Sequence, residues 1–336
     1  MARTPSGRIT VEDVATRAGV SVATVSRALR GISNVSETTR AKVLRAAIEL
    51  DYRIDRAAAS LASGQRRALG VIAPIGNGPQ ISDVLGGIDE IIGTTDQDLM
   101  IVSGVDPGPH RIHSLRSGVD GIVIIALGRG PDELTDLVGG ELPTVVIGPK
   151  IHHCRSMVID EAGAAAALVD LLADRGHHDI AVLGVDPSSA SSTPIAAVRR
   201  AAFIERLEAR GRTPRVVLDV TDSVEGGMAV AEVLLDNEAV TAVCCATDLI
   251  AFGLLTAAHQ RGLKIPDQLS VVGVDDRDAS LAFGLTTVRQ PLADAGRRAT
   301  VWLLSELGVV DAPVGPMEQW SHLPWQLVER ATVATR

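Results

Sequence analysis

Thr24, Ser26, Arg27 and Arg30 crowd the outer face of one short segment near the N-terminus. Hydroxyl and guanidinium groups so placed can hydrogen-bond phosphates and base edges, the chemistry of a helix laid in a DNA major groove. Elsewhere the reactive inventory is thin. Residues 70–78 contain no G-x-G-x-x-G, and the chain has neither a G-x-x-x-x-G-K-[ST] phosphate cradle nor a G-x-S-x-G nucleophile elbow. Asp275, Asp276 and Asp278 share one loop, but no histidine joins them to make a metal site. Cys154 and the adjacent Cys244 and Cys245 fit neither a disulfide framework nor zinc-ligand spacing. The expectation is a binding protein, not an enzyme, with no cofactor and no metal.

The elements around the basic face can be read from their caps. Thr10 suits the N-cap of a helix over 11–18, with Asp13 in its first turn, and Gly19 allows a tight turn. Ser21 caps a second helix running to about Arg30, with Gly31 just beyond it. Val14, Ala15, Val20, Val25 and Leu29 face inward. Ser36 caps a third helix over 37–51, whose Val43, Leu44, Ala47 and Leu50 should cover the other two. Any three-helix bundle fits this pattern; the polar, cationic outer face favours a helix-turn-helix. Residues 55–64 read as a short Ala-rich helix. Alone in water it falls below the ~12–15 residues at which helices become marginal, so it is either a linker with helical bias or a helix formed only on binding.

From Ala68 onward, short apolar strands alternate with helices. Ten strands are expected, at 69–73, 99–102, 121–126, 144–148, 157–160, 180–184, 216–219, 242–245, 270–274 and 286–288. Six helices are expected, at 82–93, 162–175, 194–210, 226–235, 249–261 and 292–307, and 105–119 leaves room for about two helical turns. Strands apolar on both faces imply parallel sheets covered by helices, and ten are too many for one open sheet. Two lobes with a cleft at the carboxyl ends of their strands follow.

Charge is divided unevenly. Net charge is −9, yet residues 1–67 hold 12 Lys and Arg against 6 Asp and Glu, while the rest hold 20 against 35. One end is suited to phosphate and the body is not. The N-terminus carries no apolar run and no stretch reaches the ~18 apolar residues of a membrane span, so a reducing cytoplasm is the expected home, without membrane partners.

The string Ile9-Thr10-Val11-Glu12-Asp13-Val14-Ala15, followed by Ala18-Gly19-Val20-Ser21-Val22-Ala23-Thr24-Val25-Ser26-Arg27, resembles the headpiece of the LacI/GalR family of bacterial repressors. Asn34-Val35-Ser36-Glu37-Thr38-Thr39-Arg40 and Ala47-Ile48-Glu49-Leu50-Asp51-Tyr52 continue the resemblance, which covers essentially the whole chain. It implies a small all-α headpiece at 1–54, a hinge at 55–66 and an α/β two-lobed periplasmic-binding-protein-like domain at 67–336. Lobe 1 would hold about 67–160 and 289–321, and lobe 2 about 161–288 and 322–336. By that resemblance Val22 and Ala23 open the recognition helix and choose bases, and Arg27 contacts a base edge, a guanine. Thr24, Ser26 and Asn34 hold phosphates, Thr10 and Ser21 join the DNA-binding set, and Leu61 is the minor-groove wedge of a hinge helix. Arg30 stands where the family commonly has Asn. The implied partners are palindromic operator DNA, a second copy of the chain and a small-molecule effector, a sugar by family default. A dimer with no heptad tail for a tetramer is expected, using Leu281, Phe283 and the 82–93 helix.

The resemblance continues in Asp160-Glu161-Ala162-Gly163, Arg175-Gly176-His177-His178-Asp179-Ile180, Ser270-Val271-Val272-Gly273-Val274-Asp275-Asp276, Leu285-Thr286-Thr287-Val288-Arg289-Gln290-Pro291 and Pro324-Trp325-Gln326-Leu327-Val328-Glu329-Arg330. It makes Arg199 and Asp275 the first effector-binding candidates, with Thr247 and Asp248 beside them. A guanidinium and a carboxylate can each grip vicinal hydroxyls at two points. Arg199 also reads as an exposed helix charge, Asp275 as a loop cap and Asp248 as a helix cap. Thr247 stands where the family usually has Asn, Gly148 where a carboxylate is often found, and Thr221 and Leu292 where sugar sensors offer aromatic rings. The effector class therefore stays open among sugars, small polyols, acidic metabolites and nucleobase-like ligands.

Overall fold

The computed structural model describes residues 9–29, 35–52, 65–74, 79–104, 107–127, 129–189, 194–235, 239–311 and 319–336. The chain divides into two compact units, residues 1–66 and 67–336. Arg30, Asn34, Leu61 and most of the expected hinge lie outside the described residues.

The first unit holds α1 (Val11–Ala18), α2 (Val22–Leu29) and α3 (Glu37–Glu49). Thr10 and Asp13 form a reciprocal capping box, with the Thr10 amide donating to Asp13 Oδ2 at 2.9 Å. Gly19, at φ 67°, ends α1 in the left-handed conformation that glycine adopts without a Cβ penalty. Val14, Val25 and Val43 are fully buried among Ala15, Ala28, Ala46 and Ala47, whose small side chains let the helices approach closely. Arg17 pairs with Glu49 at 2.5 Å, tying α1 to α3. Leu44 departs from expectation: it is 45% exposed, and Ala46 takes the inward position. Positions 43, 46, 47 and 50 share one helical stripe, which leaves 44 about 100° off the seam.

In the second unit, β1 (Ala68–Ala73), β2 (Asp98–Ser103), β3 (Gly121–Ile125), β4 (Thr144–Ile147), β5 (Arg155–Ile159) and β11 (Trp320–Leu323) form a six-stranded parallel sheet, ordered β11-β5-β4-β3-β1-β2. The second sheet joins β6 (Ile180–Val185), β7 (Val216–Val220), β8 (Ala242–Cys245) and β9 (Ser270–Val272), also parallel, in the order β7-β6-β8-β9. β1, β3, β6 and β8 are buried at every residue, as strands covered on both faces must be. An antiparallel pair, β10 (Thr287–Arg289) with β12 (Gln326–Val328), lies where the chain passes between lobes. β11 extends to Leu323, two residues past the expected lobe edge at 321.

The first lobe carries α4 (Pro79–Ile92), α5 (Gly108–Gly118), α6 (Thr135–Val138) and α13 (Leu292–Glu306). The second carries α7 (Glu161–Asp174), α8 (Pro194–Ala209), α9 (Val224–Ala229), α10 (Ala231–Leu235), α11 (Asp248–Gln260) and α12 (Asp278–Phe283). The single helix expected over 226–235 is broken at Val230, and α5 runs 11 residues where about two turns were expected. α4 and α13 touch backbone to backbone. A Cβ on Gly87 would run into the Ala293 carbonyl, and one on Gly296 into that of Val84.

Candidate functional site

In the first unit, α2 turns two unlike faces outward and inward. Val25 and Ala28 are buried, while Val22, Ala23 and Arg27 are exposed on the other side. The Ser21 hydroxyl accepts from the Thr24 amide at 3.2 Å and lies 2.8 Å from the Thr24 hydroxyl, so these two residues cap the helix and order each other. Ser26 is half-buried. Arg27 Nε donates to the Ala23 carbonyl at 3.1 Å, within its own helix, which leaves the guanidinium end free to swing outward. Thr10 is occupied by the capping box.

In the second unit, the cleft-side residues come from six separate chain segments. Arg199 lies in the second turn of α8 and is only 3% exposed. Its Nε donates to Glu161 Oε2 at 2.8 Å, and its Nη1 donates to Asp275 Oδ1 and the Ala246 carbonyl, both at 3.0 Å. Burial works against the guanidinium charge, but the two carboxylates outweigh it and hold Arg199 more firmly protonated than usual. The neighbouring Arg200 is half-buried and paired instead with Asp219 at 2.7 Å. Asp275 Oδ1 also accepts from the Gln80 amide at 2.8 Å. Gln80 opens α4 in the first lobe, so this bond crosses between lobes.

Asp275 and Asp276 sit at φ 132° and 53°, backbone that non-glycine residues rarely adopt and that marks stored strain. Hydrogen bonds hold the loop there: the Asp275 amide donates to the Val288 carbonyl at 3.0 Å, and Arg289 and Arg330 each reach the Asp276 carboxylate at 2.6 Å. Three buried polar atoms face this region without a hydrogen-bond partner: Glu161 Oε1, Asp275 Oδ2 and Arg277 Nε. Arg277 Nε stands 3.5 Å from Asp275 Oδ2, close enough for charge attraction but not for a hydrogen bond. Buried groups left so are costly unless something else completes them.

Thr247 and Asp248 divide the work differently from the sequence expectation. Thr247, not Asp248, caps α11, accepting from the Ile250 amide at 3.4 Å and donating to Asp222 Oδ1 at 2.5 Å. Asp248 is fully buried, and both its oxygens are taken, by the Ser280 hydroxyl and Arg277 amide at 2.6 and 3.1 Å and by the Thr287 hydroxyl at 2.6 Å. Burial, and then Asp275, push its pKa up to about 6 against the pull of those donors. The geometry makes Asp248 the anchor of the loop that carries Asp275 rather than a ligand contact. Gly148 has a steric reason to lack a carboxylate: its φ is 148°, and a Cβ would come within 2.7 Å of the Ala126 carbonyl oxygen. Leu292 is buried in the first lobe's core, and Thr221 is exposed.

Gln80, Glu161, Asp222 and Arg277 belong to this cluster and were not singled out from the sequence. Glu161 alone left a trace, standing in the Asp160–Gly163 string at the first crossing between lobes.

A family model described as "Bacterial regulatory proteins, lacI family" matches residues 10–55, and the periplasmic binding protein-like domain matches 169–333. Catabolite control protein A of Streptococcus mutans is 30% identical over 303 residues, covering 86% of this chain and 88% of its own. The chain belongs to the LacI/GalR family. The HTH-type transcriptional repressor PurR of Proteus mirabilis is 29% identical over 97% of both chains. Among solved structures, the Lac repressor dimer bound to operator and an anti-inducer is 26% identical, with a TM-score of 0.81 over 97% of this regulator and 99% of that chain. The regulator is thus a DNA-binding transcriptional regulator with a helix-turn-helix unit and a two-lobed α/β domain.

Proposed function

We propose that this regulator is a cytoplasmic repressor, acting as a homodimer on palindromic operator DNA, whose operator affinity is set by a small effector held between its lobes. The α2 face supports the first half: Val22, Ala23 and Arg27 are exposed there, suited to bases, with Thr24 and Ser26 beside them for phosphates. Asn34, for a phosphate, and Leu61, for the minor groove, lie outside the described residues and rest on the family resemblance. Residues 1–54 form the headpiece, 55–66 the hinge and 67–336 the effector domain. Relatives solved with a ligand, such as the CelR regulator with cellobiose, support a ligand in the second unit. The relatives named above are transcriptional regulators, in keeping with a binding role.

One observation carries the effector half of the reading. Asp275 takes a donor from Arg199 in its own lobe and another from Gln80 in the other, so a ligand reaching this carboxylate acts on the relation between lobes. A ligand shifts such an equilibrium only by its difference in affinity for the two states. Operator titrations with and without an effector found by thermal-shift screening test it. Asp275→Asn should keep effector-free operator binding within about threefold and lose the effector's influence. A fully responsive variant would place the effector elsewhere. Arg199→Ala is the poorer probe: removing a buried cation from two carboxylates costs about 3–5 kcal/mol in fold stability.

A further inference from the structure

The charges of the cleft narrow what it can hold. The second lobe presents Glu161, Asp222 and Asp275 there, answered by Arg199 and Arg277. Asp83 of the first lobe is exposed near Asp278 and Arg277 and lies outside this buried set. Asp276, next to Asp275, is paired with Arg289 and Arg330, so with the buried Asp248 five carboxylates stand against four guanidinium groups. Burial first, and then the neighbouring Asp275, raise the pKa of Asp222 against the pull of its Thr247 hydrogen bond. An anion entering this cluster adds repulsion to a site already crowded with negative charge.

Two of the three unsatisfied atoms point the same way; the third, Arg277 Nε, is a donor that faces Asp275 Oδ2 at 3.5 Å. Glu161 and Asp275 flank the same guanidinium, their side chains are 9% and 2% exposed, and each keeps one oxygen without a partner. Both are acceptors, so whatever completes them must donate. The donor now seen at Asp275 from across the cleft is a side-chain amide nitrogen, that of Gln80. A planar base would find nothing to stack on. Phe203 is in the second lobe's core, Phe252 and Phe283 stack on each other, and Trp325 packs into the same core. Trp302 and Trp320 belong to the first lobe's helix and edge strand, and Tyr52 to the first unit. A neutral hydroxyl brings one donor and leaves the excess charge in place. An ammonium brings three donors and a compensating charge.

We propose that the effector is a small hydroxylated, non-aromatic amine whose ammonium group donates to the oxygens of Glu161 and Asp275 that Arg199 leaves unpaired. This rests on the cleft being the effector site. The test uses the full-length regulator and matched compounds on one skeleton: glucose, glucosamine and glucuronate, then sorbitol, 1-amino-1-deoxysorbitol and gluconate. Thermal shift and operator titration are read for each. The amine of at least one set should raise the melting temperature and alter operator binding, while its hydroxyl and carboxylate counterparts at equal concentration do neither. Glu161→Gln, which keeps the shape and removes the charge, should weaken that amine about tenfold or more, with ligand-free melting and operator binding reporting that the variant folds. A hydroxyl or carboxylate member acting as strongly as the amine, or no response to either amine, overturns the proposal. If such a neutral or acidic member loses its effect in Asp275→Asn, the cleft remains the effector site and only the amine falls. An amine effect untouched by both Glu161→Gln and Asp275→Asn overturns the site as well.

Discussion

Three donors converge on the Asp248 carboxylate: the Ser280 and Thr287 hydroxyls and the Arg277 amide. Asp248→Ala leaves all three buried and unpaired, and at ~1–3 kcal/mol for each such group it should be among the most damaging single changes in the second unit, read by chemical denaturation. Asp248→Asn keeps acceptor and shape and should be far milder. Titration separates the two effects. The folded pKa, about 6, lies above the ordinary carboxylate value of 3.8, so folding favours the protonated form. Asp248 therefore contributes stability that is full below pH ~4 and is lost as the pH rises through ~6, a span of about 3 kcal/mol at 1.36 kcal/mol per unit. Denaturation of the parent and of Asp248→Asn from pH 4 to 7 should show the parent falling relative to the variant across that window. Parallel curves would mean that the carboxylate stays ionised throughout. In the first unit, Arg27→Ala should cost about 1–3 kcal/mol of operator binding and relax preference at one position of each half-site, as selection from a randomised operator would reveal.

Elements set the next level of constraint. α4 and α13 meet at Gly87 and Gly296, where each helix lies against a carbonyl of the other. Gly87→Ala should force the helices apart and destabilise the second unit by at least the ~1–3 kcal/mol typical of overpacking, measurable as a lower denaturation midpoint. Because Gln80 lies on the first turn of α4, the same change should weaken or strengthen effector binding while leaving α2 and its DNA contacts alone. Gly86→Ala, on the next residue and with open space around its Cβ position, is the matched control and should be nearly silent.

At the scale of the whole molecule, one headpiece offers too few contacts for a unique genomic site, and a two-fold pair reading a palindrome supplies them. Leu281, 76% exposed, and Phe283, stacked on Phe252, give α12 an apolar outer face suited to that pairing. Sedimentation at micromolar concentration should give a dimer mass, and Leu281→Asp should shift it toward the monomer and weaken operator binding. A monomeric or tetrameric parent would rule the arrangement out. Residues 67–336 without the first unit should still pair but lose operator binding in a gel shift.

Local signals carried the first unit almost entirely. Thr10, Asp13, Gly19, Ser21 and Ser36 act on backbone within four residues of themselves, so caps and helix ends follow from short-range chemistry alone. Fully apolar runs such as 68–73 and 121–125 likewise announced parallel strands, because burial on both faces leaves no other composition. What the local pattern could not decide was which side of a stripe meets its neighbour, and Leu44 came out exposed for that reason. The cleft lay further still from local reading. Gln80, Glu161, Arg199 and Asp275 are brought together across as many as 195 positions, and each separately looks like an ordinary surface charge or amide. Only the packing of two sheets, and the burial it imposes, turns Arg199 into a shared cation, leaves Glu161 Oε1 and Asp275 Oδ2 without donors, and turns Asp248 inward onto Ser280, Thr287 and the Arg277 amide. Desolvation assigns those roles, and desolvation belongs to the folded molecule, not to any stretch of its chain.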